Sequence, residues 1–277
     1  MNHAAARALQ EHILRQALEI LSGDPRVLAV YALGSYARGE NDAFSDIDLG
    51  CILRDEELSG RAELYDRIAG ISPLLCRLWI YDLNALYLYE NGVRLDLDFH
   101  KPSRLAEVAS YASFNLAVLH DPDGALARAL EQPGAAFHPE HPKWFKPGEQ
   151  AYLDWYAWEW RQIACWTLRG AQGGGHAFSK LFHAAKSLAD VRAGLVEMRL
   201  WTLDSGAYLE QADPECARSI AAAYPRLEAG EILDCTHRLL DEYARICPDY
   251  CHKAGLPYPA RQLEVVRGLL AEFEGIA

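Results

Sequence analysis

The chain has 277 residues, enough for one large hydrophobic core or for two modest ones. Its composition, with 51% hydrophobic and 24% charged residues, is that of a globular protein. The net charge of -12 argues against a non-specific nucleic-acid binder, which needs a basic surface, and it favours cationic partners instead.

The N-terminus and the cysteines together predict a cytoplasmic protein. Charged and polar residues interrupt the apolar positions of the first turns, so this segment does not have the pattern of a signal peptide. No stretch reaches the roughly 18 apolar residues that a membrane-spanning helix requires. The seven cysteines are odd in number and irregularly spaced, which is typical of reduced thiols.

The first half of the chain predicts a mixture of helices and strands. Helices are expected where apolar residues recur every three or four positions, and strands where short apolar runs are bounded by turn residues. Asn91-Gly92 between two strand-forming runs predicts a hairpin. In chain order the predicted elements are a helix over 4–22, strands over 27–33 and 47–53, a helix over 57–70, strands over 83–89 and 93–100, and mixed helix and loop over 103–131.

A proline-rich stretch separates this half from the next. The segment "EQPGAAFHPEHPKWFKPGEQ" holds four prolines and shows no periodicity, which indicates a domain boundary. The helices predicted beyond it are 149–169, 176–197, 229–246 and 259–274. The sequence therefore predicts an α+β N-terminal domain (1–131), a linker (132–148) and a helical C-terminal domain (149–277).

The stretch "GSYARGENDAFSDIDLG" carries the most distinctive chemistry of the chain. Gly34 lies where a strand ends and a helix is expected to begin, so the backbone can approach a ligand closely and free N–H groups can meet an anion. Ser35 adds a hydroxyl there, and Arg38, one turn later, is placed to reach a phosphate. Asp46 and Asp48 lie two residues apart on a strand, so both carboxylates project from one face.

Two adjacent carboxylates repel each other unless a cation neutralises them. Magnesium prefers oxygen ligands and commonly binds through one or two carboxylates together with substrate phosphates. A phosphate-binding turn beside Asp46 and Asp48 therefore predicts a site for a magnesium nucleotide. A second metal would require a third carboxylate, and the later strand "VRLDLDFH" offers Asp96 and Asp98 without distinguishing between them. The polar face of that strand consists of Arg94, Asp96, Asp98 and His100.

These residues resemble the DNA polymerase beta-like nucleotidyltransferase superfamily. The resemblance rests on Gly34-Ser35, the loop after them, Asp46-Ile47-Asp48 and the later strand carboxylate, and it is specific over residues 27–131. The two-domain layout is similar to that of bacterial aminoglycoside and lincosamide nucleotidyltransferases. The resemblance implies an α+β fold in which helices flank a mixed sheet, followed by a helical-bundle domain that binds the substrate.

The resemblance also implies a reaction. A nucleoside monophosphate, usually AMP, would pass from ATP or another NTP to a hydroxyl of a small molecule, with two Mg²⁺ ions and release of pyrophosphate. Asp46 and Asp48 would bridge both ions, whereas Asp96, which follows the hairpin glycine as in the family, would hold the ion that activates the hydroxyl and accept its proton. The residues predicted to bind the nucleotide are Gly34, Ser35, Arg38, Ser45 and Lys180.

Some alternatives stay open at this level. Asp154 or Glu159 in the helical domain is an alternative candidate for the base. Asp154 shares a helical face with Trp158, Arg161 and Cys165, and an aromatic and acidic wall of this kind would suit a cationic acceptor. The opposite stripe, which is expected to be core, consists of Tyr152, Trp155, Tyr156, Ile163 and Trp166. The alternative function is a regulatory or antitoxin-like protein of the same fold that binds or nucleotidylates a protein partner.

Overall fold

The computed structural model describes residues 3–54, 60–81, 83–105, 108, 116–131, 145–173 and 176–274. The chain forms two compact units, Met1–Trp144 and Phe145–Ala277, called the N-terminal and C-terminal units below. Within the described ranges, no helix has the length and apolar character needed to cross a membrane.

The N-terminal unit is an α+β structure, as predicted, and its sheet has six strands in the part of the chain that is described. Its elements in chain order are α1 (His3–Ser22), β1 (Val27–Ala32), α2 (Gly34–Arg38), β2 (Ile47–Leu53), α3 (Arg61–Ala69), β3 (Leu74–Tyr81), β4 (Asn84–Tyr89), β5 (Arg94–His100), β6 (Ala117–His120) and α4 (Ala125–Leu130).

The strands are ordered β3-β4-β5-β2-β1-β6 across the sheet. Strands β2 and β5 run parallel, and the other neighbouring pairs are antiparallel. The parallel pair sets Asp48 directly opposite Asp96, and Gly50 directly opposite Asp98. Two carboxylates that are distant in sequence therefore meet at the centre of the sheet.

The two faces of the sheet differ in character because side chains alternate along each strand. One face packs under α1 and α3 in the main core of the unit, which includes Ile13, Ala17, Leu64, Tyr65, Ile47, Leu49, Leu95, Leu97 and Phe99. A smaller cluster covers part of the opposite face and consists of Ala29, Tyr31, Ile52, Val108 and Leu126. Asp48, Asp96 and Asp98 alternate with the main-core residues and so belong to this second face.

Two strands were not predicted from the sequence. β6 lies inside residues 103–131, where helix and loop were expected, and it is a four-residue strand at the edge of the sheet. β3 occupies a stretch for which no element was predicted, and it is the opposite edge strand. Both strands form by pairing with a neighbour, which a local apolar pattern does not report. The predicted helix start at 57–59 lies outside the described residues.

The described residues of the C-terminal unit form helices joined by turns and loops and include no strand, and the four long helices were predicted. Its elements are α5 (Gln150–Ala171), α6 (Ala177–Thr202), α7 (Leu209–Ala212), α8 (Pro214–Ala221), α9 (Ala229–Ala254) and α10 (Ala260–Glu274). The short helices α7 and α8 were not predicted. Helix α9 continues through Pro248 and ends well beyond the predicted residue 246. Three members of the stripe that was expected to be core, Tyr152, Tyr156 and Ile163, are buried.

Candidate active site

A tight turn joins β1 to α2 directly above Asp48. Gly34 begins α2 with φ at +63°, a conformation that side chains rarely adopt. A Cβ at this position would lie 2.9 Å from Oδ2 of Asp48, so the turn reaches the carboxylate only because residue 34 is glycine. The backbone N–H of Leu33 donates a hydrogen bond of 3.0 Å to the carbonyl oxygen of Asp48, which holds the turn against β2.

Three carboxylates converge at this turn. Asp46 immediately precedes β2, Asp48 is the second residue of β2, and Asp96 lies opposite Asp48 on β5. The side chains of Asp46 and Asp96 are each 22% exposed. The parallel register thus brings together the three residues that the sequence analysis selected.

A buried arginine contacts two of the three carboxylates. Arg94 is only 3% exposed, and its Nη2 atom lies 2.8 Å from Oδ2 of Asp46 and 3.3 Å from Oδ2 of Asp96. The sequence pattern places Arg94 on the correct face of β5 but assigns it no role. Its contact with Asp46 depends on the pairing of β5 with β2, so the local sequence carries no signal for it.

The surroundings of the carboxylates raise their pKa values. Burial, followed by the nearby charge of Asp46, raises the pKa of Asp48 from 3.8 to about 6, although Arg94 opposes this shift. Burial also raises the pKa of Asp96 well above its ordinary range, and the charges of Asp48, Asp46 and Asp98 act in the same direction. The folded protein therefore disfavours the ionised form of both groups in the absence of a further cation.

The carboxylates have the chemistry of a site for a hard cation. Among the described residues, nothing donates a hydrogen bond to the buried Oδ1 atom of Asp96. A divalent cation would supply a partner for this atom, and oxygen ligands are those that Mg²⁺ prefers. The described part of the chain has no ready-made cluster of three His, Cys, Asp or Glu side chains at metal-binding distances. Arg94 contacts two of the carboxylates instead.

Comparison with known proteins decides the family of this site. Residues 14–100 match the family model of the nucleotidyltransferase domain. This segment is a nucleotidyltransferase domain. The match covers the turn at Gly34, all three carboxylates and Arg94, and it confirms both the predicted enzyme class and the predicted fold class. A comparison with curated proteins gave no significant match.

Several solved structures are similar to the chain at low identity. An aminoglycoside 6-adenyltransferase from Bacillus subtilis is 16% identical, with 96% of this chain and 97% of that chain covered and a TM-score of 0.34. The CD-NTase CdnG of Bradyrhizobium diazoefficiens in complex with GTP is 12% identical, with coverages of 99% and 87% and a TM-score of 0.27. The Thermotoga maritima CCA-adding enzyme complexed with tRNA is 12% identical, with coverages of 97% and 82% and a TM-score of 0.27.

The other residues predicted to bind nucleotide differ in their exposure and lie in different elements. In the nucleotidyltransferase domain, Ser35 is half-buried in the first turn of α2 beside Gly34. Arg38 is exposed at the end of α2, where its Nε atom donates to Glu40 at 2.6 Å. Lys180 is half-buried in α6 of the C-terminal unit. The nucleotide contacts of these three residues stay predictions.

Ser45 is built into the loop that precedes Asp46. Its hydroxyl is fully buried, donates to Oδ1 of Asp42 at 3.0 Å and accepts from the backbone N–H of Asp42 at 2.9 Å. The buried Gln10 of α1 donates to the carbonyl oxygen of Ser45 at 3.0 Å and accepts from the hydroxyl of Tyr36 at 3.3 Å. These contacts connect α1, α2 and the loop, and so hold the loop that carries Asp46 immediately before β2.

Replacing Ser45 by Ala is therefore expected to lower stability. The backbone N–H of Asp42 would lose its buried acceptor, which costs about 1–3 kcal/mol in the free energy of unfolding. Urea unfolding of the variant measures this cost, with Ser35→Ala as a matched control expected to change stability by less than about 0.5 kcal/mol. Unchanged stability together with a raised KM for the nucleotide would instead assign Ser45 to nucleotide binding.

Cation binding by the nucleotidyltransferase domain is expected to weaken in acid. A cation must displace the proton from Asp48, so its affinity should fall by about tenfold per pH unit below about pH 6. The same raised pKa means that the contribution of Asp48 to the stability of the cation-free protein is present below pH 3.8 and is lost as the pH rises through about 6. Titration with Mn²⁺ alone between pH 5 and 8 measures the affinity for the cation, and an affinity independent of pH would contradict the expected weakening in acid.

The candidates in the C-terminal unit are largely enclosed. Trp158, Arg161 and Cys165 are between 2% and 5% exposed, so they offer little surface for the acceptor wall suggested by the sequence. Asp154 is half-buried and its Oδ1 atom accepts hydrogen bonds from Gln150 at 3.0 Å and Gln262 at 2.7 Å. Burial raises the pKa of Asp154, which is a property of a base, and its role stays a prediction.

Proposed function

We propose that the protein is a Mg²⁺-dependent enzyme that transfers a nucleoside monophosphate, AMP in the first instance, from an NTP to a hydroxyl of a small molecule. The observation that carries this proposal is the pairing of Asp48 with Asp96 on parallel strands, directly beneath the glycine turn at Gly34. This arrangement places a backbone turn suited to phosphates next to a set of carboxylates suited to cations.

Different residues of the nucleotidyltransferase domain are proposed to bind the phosphates and the cations. The turn at Gly34 and Ser35 positions the phosphates, with Arg38 near the end of α2. Asp46, Asp48 and Asp96 would hold two Mg²⁺ ions, which neutralise the triphosphate and lower the pKa of the attacking hydroxyl. Positioning and charge neutralisation supply most of the acceleration in phosphoryl transfer, so the preformed turn accounts for much of the catalysis.

Asp96 is proposed to accept the proton of the acceptor hydroxyl. The hydroxyl oxygen forms a bond to the α-phosphorus, the bond from that phosphorus to the bridging oxygen breaks, and pyrophosphate leaves with the electron pair. The released proton passes to the ionised carboxylate of Asp96, which lies opposite Asp48 on β5.

The acceptor is proposed to be a cationic molecule that carries hydroxyl groups, with an aminoglycoside or a lincosamide as the candidate to test. The net charge of -12 and the acidic face of the sheet favour a cation over an anion such as a nucleic acid. The helical C-terminal unit is proposed to bind this acceptor. All seven cysteines are free and buried, in agreement with the proposed cytoplasmic location.

The proposal is tested by offering the purified protein each NTP with Mg²⁺ and a panel of aminoglycosides and lincosamides while pyrophosphate is measured. We expect release of pyrophosphate that requires an acceptor and Mg²⁺, and a product whose mass is increased by a nucleoside monophosphate. Transfer of label from the NTP to protein in place of every small acceptor would support a regulatory role. The absence of any transfer would contradict the proposed activity.

A further inference from the structure

Four aspartates and one buried arginine share the polar face of the β2–β5 pair. Asp48 and Asp96 lie opposite each other, Asp98 lies opposite Gly50, and Asp46 immediately precedes β2. Arg94 is almost completely buried among these elements and lies at the start of β5. These five residues therefore bring four carboxyl groups and a single guanidinium to one face of the sheet.

The contacts of Arg94 join the two strands. One terminal nitrogen, Nη2, contacts Asp46 next to β2 and Asp96 on β5, at 2.8 Å and 3.3 Å. Both contacts use the Oδ2 atom of the carboxylate, and nothing among the described residues bonds to Oδ1 of Asp96. The arginine thus orients both carboxylates while it leaves one oxygen of Asp96 available to another cation.

Arg94 and the neighbouring carboxylates stabilise each other through their opposite charges. A buried guanidinium without a carboxylate is strongly unfavourable, and closely spaced carboxylates without a cation repel each other. Removing Arg94 would leave Asp46, Asp48 and Asp96 in proximity with no positive charge between them. A divalent cation bound by the same carboxylates would restore the balance, since it supplies positive charge at the same place.

We propose that Arg94 is a built-in counter-ion and positioning residue, which holds Asp46 and Asp96 in place before the metal ions bind. The inference rests on the proposed function, because it assumes that these carboxylates take up divalent cations. The fold around the site is then stabilised by Arg94 in the absence of metal and can be stabilised by a divalent cation in its place.

The test is the thermal midpoint of Arg94→Met, measured with a chelator and then with increasing Mg²⁺ or Ca²⁺ and no nucleotide. With chelator we expect a loss of roughly 10 °C relative to the unmodified protein, since one partner of a buried ion pair is removed. Millimolar divalent cation should restore at least half of this loss in Arg94→Met, while the unmodified protein should gain less.

Arg26→Met is the matched control in the same unit. Arg26 pairs with Asp24 at 2.7 Å, its side chain is 19% exposed, and it lies outside the carboxylate site. Its loss of stability should not be restored by divalent cations. Equal restoration in both variants, or none in Arg94→Met, would overturn the proposal, because a merely structural arginine would show no selective rescue by a cation.

Two further variants keep the test decisive if Arg94→Met does not fold with chelator. Arg94→Lys retains the charge and is expected to keep most of the stability, while kcat falls and the KM for the nucleotide changes less than twofold. The double variant Arg94→Met/Asp96→Asn removes one negative charge with the positive one and should be more stable than Arg94→Met alone. A double variant no more stable than the single one would contradict the counter-ion role.

The outcomes separate this inference from the proposed function. Selective rescue of Arg94→Met by cations does not depend on any transfer reaction, so it would support the counter-ion role even if no NTP were consumed. Transfer activity in the unmodified protein without cation rescue of Arg94→Met would support the proposed function and overturn the role of Arg94.

Discussion

Replacing Asp96 by Asn is expected to lower the rate of nucleotide transfer by about 10²–10⁴-fold, the usual cost of losing a general base. Asn has nearly the size of Asp, so the change removes the carboxylate at the half-buried position opposite Asp48 with little change in packing. Nucleotide binding should be largely retained, because Asp46 and Asp48 remain to hold the cation of the triphosphate. Single-turnover transfer and equilibrium nucleotide binding, measured on the same preparation, check both parts.

Asp98→Asn is the matched control on the same strand. Asp98 lies two residues further along β5 and opposite Gly50, so its Cα is about 6–7 Å from that of Asp96. Because of this distance, Asp96 and Asp98 cannot both occupy the position of the base. Asp98→Asn should therefore mainly raise the KM for the acceptor. An inactive Asp98→Asn beside an active Asp96→Asn would reverse the assignment of the base.

The shared face of the aspartates could be predicted from local sequence because period-two alternation is a local property. Asp46 and Asp48 were assigned to one face, as were Asp96 and Asp98, and the structure places Asp48, Asp96 and Asp98 on one face of the sheet. The turn at Gly34, beside the carboxylates, could also be predicted from the sequence. Its positive φ and its distance from Asp48 give the physical reason for that glycine.

The contacts between distant segments could not be predicted in the same way. The register that sets Asp48 opposite Asp96 is a property of the β2–β5 pair, and no local pattern encodes it. The ion pairs of Arg94 follow from this register, so Arg94 was placed on the correct face and given no role. The edge strands β3 and β6 were missed for a related reason, since both are defined by pairing with a neighbour.

Replacing Asp48 by Asn is expected to remove most of the thermal stabilisation that Mg²⁺-ATP gives. A ligand present at 100 times its Kd stabilises a protein by about 2.7 kcal/mol, which corresponds to a rise of roughly 5–11 °C in Tm for a domain of 150–250 residues. Asp48 lies beside the turn at Gly34, where a Cβ would lie 2.9 Å from its Oδ2 atom, so its loss should weaken binding of the cation and of the nucleotide together.

The metal-free stability of Asp48→Asn separates this loss of binding from a loss of folding. The fold disfavours the ionised form of Asp48, so a neutral Asn at this position should leave the Tm of the metal-free protein unchanged or raised at pH 7.5. Asp66→Asn is the matched control, because Asp66 is an exposed carboxylate of α3 paired with Arg77 and should keep the full shift with Mg²⁺-ATP. If Asp48→Asn kept the full rise in Tm with Mg²⁺-ATP, the assignment of Asp48 to the nucleotide site would be contradicted, because the ligand would then be bound by other groups.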